Sequence, residues 1–236
     1  MDYSLTDLTK KKRKLALRLV AGEFEGSYGD GIIVLCAAIS ALAAQVWPGK
    51  RKERRFVELL KRFAPPELNT TRISVPLLIG WLRTERGREA ETAILEKAFL
   101  NNPQGASLEG DSVDKSDDEV IRVCDGLLCR NEIRRLSYGS LLYSELRSSY
   151  SHEFRPGNQI GFPFSEASCS AVSYWNYGKE PSGTNENEIE ENDTLWRIHF
   201  KADWIGDVAV AVATALDAGS AKLKRSDPVR WWLDGG

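Results

Sequence analysis

The sequence predicts a mainly α-helical protein with one small β-hairpin, and three observations lead to this class. Apolar residues recur with a helical period through most of residues 5–154. Residues 31–47 are apolar on nearly every side, which is typical of a central helix. Only residues 171–177 and 195–200 alternate in the manner of strands and are rich in aromatic residues. An all-α bundle of six to eight helices with a hairpin insertion is therefore expected.

Three helices are expected in the first part of the chain. They cover residues 5–24, 31–47 and 52–63, and the last two are followed by Pro48-Gly49 and Pro65-Pro66, which end helices. The apolar residues at helical spacing are expected on the inner faces of the first and third helices: Leu8, Leu15, Leu19 and Phe24 in the first, and Phe56, Leu59, Leu60 and Phe63 in the third.

Further helices are expected in the middle of the chain. Residues 74–84 and 88–100 have helical spacing, and the pattern resumes from 118 to about 151 with a break near Asn131. Residues 101–118 between them contain two glycines and five acidic residues, and this composition predicts a mobile loop.

The end of the chain combines the hairpin with a closing helix. The two strands enclose an acidic segment that is expected to be a disordered tip. An apolar run within residues 202–223 predicts a helix that returns to the core. Since there is no internal repeat and no long linker, one domain is expected over 1–236, with core helices at 5–154, the hairpin and closing helix at 155–223 and a tail at 224–236.

The composition indicates a protein of the cytoplasm. The formal net charge is -2 at pH 7, so no global charge favours nucleic acid or membrane. The N-terminus is too polar for a secretory signal, and the longest apolar run, 31–46, is shorter than a spanning helix, so no membrane contact is expected. The cysteines are expected to be reduced and mostly buried: Cys36, Cys124, Cys129 and Cys169.

The chain contains only two histidines, and this restricts the chemistry that it can carry out. Neither a Ser-His-Asp triad nor a His-rich or Cys₂His₂ metal site can be assembled plausibly. No Gly-rich phosphate loop of the Walker type is present, so no cofactor and no metal are expected. His199 shares the polar side of the second predicted strand with Arg197 and is interpreted as an exposed residue of the hairpin.

The second histidine, His152, follows Arg147 at the end of a predicted helix. Within one ideal helix, residues five apart point about 140° away from each other, so the two side chains converge only if the helix ends or bends between them. Ser148, Ser149 and Ser151 favour such an end. An arginine offers a permanently charged fork to phosphoryl oxygens, and a histidine can transfer protons near neutral pH. The pair therefore suits phosphate chemistry.

The sequence around this pair resembles the HEPN superfamily of small helical RNases and nucleotide-binding modules. The family signature is Arg, four to six residues, then His, at the end of a long helix, often after a Leu-Tyr pair and with an acidic residue beside the His. Here Leu142-Tyr143 precede Arg147-Ser148, and His152-Glu153 follow. The resemblance covers residues 118–154. One departure is Ser148, where an amide or a carboxylate is commoner in the family.

The resemblance implies a metal-independent endoribonuclease, in which the 2′-hydroxyl of the RNA attacks the adjacent phosphorus. His152 would transfer protons, Arg147 would stabilise the phosphoryl charge, and Ser148 and Tyr150 would orient the site or the substrate. Such proteins are often toxins or anti-phage defence effectors with an inhibitor or defence-complex partner. They pair two protomers around one cleft, so a homodimer, or a heterodimer with a related chain, is expected. The partner would bury Tyr143, Tyr150 and Phe154.

Basic residues near the N-terminus are consistent with RNA as the partner. Residues 1–63 contain 13 basic and 7 acidic residues, with runs at 10–14 and 50–55, and could form a track for an RNA backbone. A solvated helix face would explain the same runs. Two other functions stay open: a non-catalytic helical module that binds RNA, nucleotide or a partner protein, and a structural adaptor in which His152 is an ordinary helix-end residue.

Overall fold

The computed structural model describes most of the chain. The described residues are 4–49, 51–100, 107–153, 155–161, 170–176 and 196–219. They are mainly helical, with a small antiparallel sheet, so the predicted class is confirmed at this level, whereas the helices are more numerous than the six to eight expected. Several predictions fall outside the described residues: the acidic tip of the hairpin, the tail at 224–236, the burial of Cys169 and the role of Phe154.

The helices of the described residues follow one another closely. In chain order they are α1 (Leu5–Val20), α2 (Tyr28–Val46), α3 (Lys52–Phe63), α4 (Val75–Thr84), α5 (Glu89–Leu95), α6 (Gly110–Val113), α7 (Asp117–Val123), α8 (Arg130–Arg134), α9 (Tyr138–Leu141), α10 (Ser149–Glu153) and α11 (Ala202–Asp217). A π-helical turn, Glu96–Leu100, extends α5, and a π-helical segment, Leu142–Ser148, joins α9 to α10. A short 3₁₀ turn, Glu23–Glu25, follows α1.

The sheet contains the predicted hairpin strands and one strand that was not predicted. Its strands, β1 (Ser107–Glu109), β2 (Val172–Asn176) and β3 (Trp196–Phe200), are antiparallel and lie in the order β1-β2-β3. Strand β1 and helix α6 occupy part of the predicted loop 101–118, so that prediction is wrong for the described part. A strand of three residues shows too little alternation to be recognised among acidic and glycine residues.

The chain divides into two compact units, and each is described by itself. The first comprises residues 1–70, 142–155 and 202–236, and the second comprises residues 71–141 and 156–201. In the second unit, α4 buries its apolar residues and Ile73 bridges to both Lys115 and Ser137. The apolar side of β3, predicted from its alternation, is buried as expected.

Helix α2 is the centre of the first unit, but it is not buried on all sides. Its inner face, which includes Ile32, Leu35 and Ile39, is fully buried. The opposite strip, with Ile33, Ala37 and Ala41, is exposed. The prediction of a helix covered all round is therefore wrong on this side. Among the described helices, α2 alone has the length and composition that could cross a bilayer, a criterion that core helices of soluble proteins also meet.

The most deeply buried residues of helix α1 are small or polar and are not its leucines. Thr9 and Ala16 are buried, whereas Leu8, Leu15 and Phe24 are 44%, 37% and 66% exposed. The predicted inner face is therefore wrong. The close approach of α1 to α2 decides which face of α1 is turned inward. A Cβ on Gly31 of α2 would lie only 2.6 Å from the Ala16 carbonyl oxygen.

Helix α1 also packs against α11, whose carboxylates pair with polar side chains of α1. Arg13 pairs with Asp203 and Asp207, at 3.2 and 2.9 Å, and Thr6 Oγ1 donates to Asp217 at 2.6 Å. These contacts hold the polar side of α1 against the unit, and Leu8 and Leu15 consequently remain exposed.

Two helical glycines provide a matched test of this close packing. A Cβ on Gly31 would lie 2.4 Å from Val20 Cγ2, whereas a Cβ on Gly80 in α4 would meet no atom within 4 Å. Gly31→Ala is expected to lower the free energy of unfolding by about 1–3 kcal/mol, because α1 must move. Gly80→Ala is expected to raise it by up to about 1 kcal/mol through helix propensity. Urea unfolding of both variants measures this, and equal effects would contradict the packing of α1 on α2.

Candidate functional site

Arg147 and His152 both lie on the continuous helical segment that runs from α9 to α10. Arg147 belongs to the π-helical part, Leu142–Ser148, and His152 to the last turn of α10. The segment ends at Glu153, after the histidine. The expected helix end between the two residues is therefore absent. Helical rotation alone turns their side chains roughly 120–140° apart, so one chain does not bring both to one side of the helix.

Arg147 is half-buried and stacked on an aromatic side chain. Its guanidinium carbon lies 5.4 Å from the centre of the Tyr143 ring, and Tyr143 packs edge-on against Phe56 of α3 at 5.5 Å. Within the part of the chain that the structure describes, Arg147 has no ion-pair partner. Partial burial removes some of the water around the guanidinium, so an anion that pairs with it would be favourable. Arg147 therefore has unused capacity to hold an anion.

Cys36 of α2 lies within the electrostatic reach of Arg147. Burial raises the pKa of the Cys36 thiol to about 12, and the positive charge of Arg147 acts in the opposite direction. The thiol is therefore protonated at neutral pH and behaves as a small apolar group. Sequence reasoning assigned no neighbour to Arg147, since residues over 100 positions apart in the chain come together only through the packing of the helices.

The surroundings of His152 are polar and open to solvent. His152 is exposed, and the adjacent Glu153 pairs with Arg155 at 3.1 Å. Ser148, one of the predicted site residues, is half-buried beside Arg147. Ser149 Oγ donates to the carbonyl oxygen of Ser144 at 3.1 Å, so this hydroxyl is used within the helix.

Tyr150 is placed differently from the sequence-based expectation. It is only 7% exposed, so the chain itself buries this residue and a partner does not need to cover it. Its ring packs so closely on Gly29 of α2 that a Cβ there would lie 2.8 Å from Tyr150 Cε1. Burial raises the pKa of the Tyr150 hydroxyl, and the nearby charge of Asp30 raises it further. Tyr150 can therefore orient the helix that carries Arg147, but it is not open to a substrate.

His199 is half-buried and not exposed, so the interpretation from the strand alternation is wrong. Burial lowers the pKa of its imidazole to about 4, and the charge of Lys201 acts in the same direction. The ring is therefore neutral at pH 7. The alternation identified the two sides of β3 correctly, but it could not show that the second side is also partly covered.

A buried carboxylate in the second unit was not found by sequence reasoning. Asp114 is 0% exposed, and Tyr138 and Tyr174 both donate their hydroxyl hydrogen to its Oδ2, the latter at 2.5 Å. The backbone N–H of Val75, at the start of α4, donates to Oδ1 at 3.0 Å. Burial raises the pKa of Asp114 to about 7, against the effect of these hydrogen bonds. Without solvent access, the cluster has a structural role.

The surface also contains the two predicted basic runs. Lys10, Lys12 and Lys14 of α1 are exposed, as are Lys52 and Arg54 of α3.

Groups of three or more metal-ligating side chains do not occur among the residues that the structure describes.

The chain was compared with family models, with curated proteins and with solved structures. No family model, no curated protein and no solved structure matches it.

Proposed function

We propose that the protein is a metal-independent endoribonuclease of the HEPN type, which acts in the cytoplasm as a toxin or an anti-phage defence effector. The observation that carries the proposal is Arg147, a half-buried cation without an ion-pair partner in the described residues, placed five residues before an exposed histidine at a helix end. This combination offers an anion site next to a group that can transfer protons.

The proposed reaction is attack of the 2′-hydroxyl of RNA on the adjacent phosphorus. A new 2′-O–P bond forms and the bond to the 5′-oxygen breaks, leaving a 2′,3′-cyclic phosphate and a 5′-hydroxyl. A proton must leave the 2′-oxygen, and another must reach the departing 5′-oxygen. His152 would take part in these transfers, and Arg147 would stabilise the charge on the non-bridging oxygens. Ser148, beside Arg147, would help to orient the phosphate.

The proposed site is completed by a second protomer. Because Arg147 and His152 point away from each other on one helix, Arg147 of one copy and His152 of the other can face one cleft across a two-fold axis. The exposed strip of α2, Ile33, Ala37 and Ala41, supports such pairing, since no charged residue occurs between Gly31 and Val46. This strip begins about 40° around α2 from Gly29, on which Tyr150 packs, so it adjoins the helix of Arg147.

The strip of α2 allows a direct test of the dimer. Ala37→Glu is expected to convert the dimer into a monomer, because a two-fold contact would bring two buried carboxylates together. Light scattering measures the mass, and circular dichroism confirms that the variant is folded. Leu127→Glu, at a 52% exposed leucine of the second unit, is the matched control and is expected to remain dimeric. A wild-type protein that is strictly monomeric would contradict the shared site.

The reaction itself is tested by incubating the purified protein with mixed RNA in the presence of a chelator. Cleavage that leaves cyclic phosphate ends and is unaffected by the chelator is the expected result. Cleavage that requires added metal ions would contradict the mechanism. Failure to cleave RNA that the protein nevertheless binds would leave the second candidate, a non-catalytic helical module for RNA, nucleotide or a partner protein. If no dimer forms, the non-catalytic module is favoured, because Arg147 and His152 of one chain point in different directions and cannot act on one phosphate together.

A further inference from the structure

We propose that the outward face of α1 binds the surface of an anionic lipid bilayer, without inserting across it. The face, here called the α1 face, consists of Leu8, Leu15, Leu19 and Phe24 together with the basic residues around them. This inference uses no residue of the proposed nuclease site, so it stands or falls independently of RNA cleavage.

The apolar part of the α1 face forms one line along the helix. Leu8, Leu15 and Leu19 are spaced by seven and four residues and therefore lie within about 40° of each other. Leu8 is 44% exposed and Leu15 is 37% exposed, whereas Leu19 is half-buried. Two exposed leucines and a half-buried one in line over three turns form an apolar strip on the solvent side of α1, and such a strip indicates a contact surface.

Basic residues border this line on both sides. Lys11 and Lys12 lie within about 60° of Leu8 in opposite directions around the helix, and Lys14 and Arg18 follow. All four are exposed, Asp7 is the only acidic residue of α1, and Arg18 pairs with Glu23 of the following turn at 2.6 Å. A helix with leucines along one line and lysines beside them is the type that lies in a bilayer interface, with the leucines among acyl chains and the lysines near anionic headgroups.

Phe24 extends the apolar line beyond the end of the helix. It is 66% exposed, with the Arg18 guanidinium 4.6 Å from the centre of its ring, so it lies on the outward side of α1. Phe24 and Glu25 both have positive φ angles, 59° and 58°, which bulky residues rarely adopt. A strained turn that holds an aromatic side chain in solvent costs free energy, and bilayer contact would offset that cost.

The charges decide between the occupants of this face. A second copy would bring the basic borders of two α1 helices together, and like charges repel. An RNA backbone would pair with the lysines but would leave Leu8 and Leu15 in water. An anionic bilayer satisfies both the lysines and the leucines, and it is therefore the occupant that fits.

The test is co-sedimentation of the whole protein with lipid vesicles. Binding is expected to vesicles of phosphatidylcholine with phosphatidylserine, to be much weaker to phosphatidylcholine alone, and to decrease with added salt. The variant Leu8→Ser/Leu15→Ser/Phe24→Ser is expected to bind the anionic vesicles at least about tenfold more weakly than the wild type. It changes only exposed side chains, and its thermal midpoint should stay close to that of the wild type. Leu127→Ser, at an exposed leucine of the second unit, is the matched control and should bind as the wild type does.

Each of the following results would overturn the proposal. The first is a wild-type protein that does not sediment with anionic vesicles. The second is full binding by the triple serine variant, which would mean that the lysines act alone. The third is a wild-type protein that is dimeric and binds no vesicles, together with a triple serine variant that is monomeric. A second copy would then cover the face. Lys12→Glu/Lys14→Glu should weaken vesicle binding as well, and loss of RNA binding alone in this variant would assign the charges to RNA.

Discussion

Replacing Arg147 or His152 by Ala is expected to lower RNA cleavage by about 10²–10⁴-fold, the usual contribution of a well-placed proton-transfer or charge-stabilising group. The thermal midpoint should change little. His152 is exposed, and the stacking of Arg147 on Tyr143 contributes only about 0.5–1 kcal/mol. Initial cleavage rates on a defined RNA, measured beside the unfolding curves of the same samples, test both statements.

Two further variants separate catalysis from general charge effects. Arg147→Lys keeps the charge but loses the planar fork, so it is expected to restore cleavage only in part. Arg155→Ala removes a neighbouring, 72% exposed arginine and is expected to leave cleavage nearly unchanged. If Arg147→Ala and His152→Ala both unfold the protein, the pair is structural. If both fold and cleave normally, the proposed site is in the wrong place.

Asp114→Ala is expected to lower the free energy of unfolding by about 3 kcal/mol or more, because several buried donors then lose their acceptor. The hydroxyl of Tyr138 and the N–H of Val75 would both lose this acceptor, and Tyr174 would keep its contact with Ser74. Urea unfolding measures the change. Asp118→Ala is the control: Asp118 is a 74% exposed partner of Arg130, and its loss should cost less than about 1 kcal/mol. Equal effects would contradict a structural role for the buried carboxylate.

The stability that Asp114 contributes is also expected to depend on pH. Because its pKa is raised from 3.8 to about 7, the folded protein keeps this proton at pH values where the unfolded chain has released it. Its contribution therefore falls as the pH rises from 3.8 to about 7, and it is constant above that range. Carboxylates with lowered pKa values, such as Asp217 and Glu119, act in the opposite direction.

The difference between the wild type and Asp114→Asn isolates this group, since the other carboxylates are common to both. The stability of the wild type relative to Asp114→Asn should decline across the range, as measured by urea unfolding at several pH values. A difference that rises with pH would mean that the folded protein lowers the pKa of Asp114.

Much of the secondary structure could be predicted from the sequence. Helix α3 begins and ends as expected, because its apolar residues recur at helical spacing and prolines follow it. The hairpin strands were recognisable by their alternation. In contrast, β1 was missed since three residues in an acidic, glycine-containing segment have no measurable period.

The candidate site was predictable only as a pair of residues in one segment. Arg and His at this spacing can be read from the sequence, and their helix is present. The stacking on Tyr143, the proximity of Cys36 and the continuation of the helix through His152 depend on packing that no local pattern describes. The serines after Arg147 favoured a helix end, but Leu146 and Tyr150 are buried on one side, and this burial holds the helix together.

The sequence by itself determined that the protein is mainly helical, where most helices lie and which strands form the hairpin, because these features follow from local periodicity and from prolines and glycines. Only the tertiary structure decided which face of each helix is buried. On α1, leucines are exposed because Ala16 and Thr9 allow the closer approach to neighbouring helices. In the same way, Asp114 is buried in a segment that resembles a solvated acidic loop, because tyrosines distant in sequence supply its hydrogen bonds. Hydrophobicity alone does not identify the inner face, since close packing and the pairing of buried polar groups also contribute to the free energy.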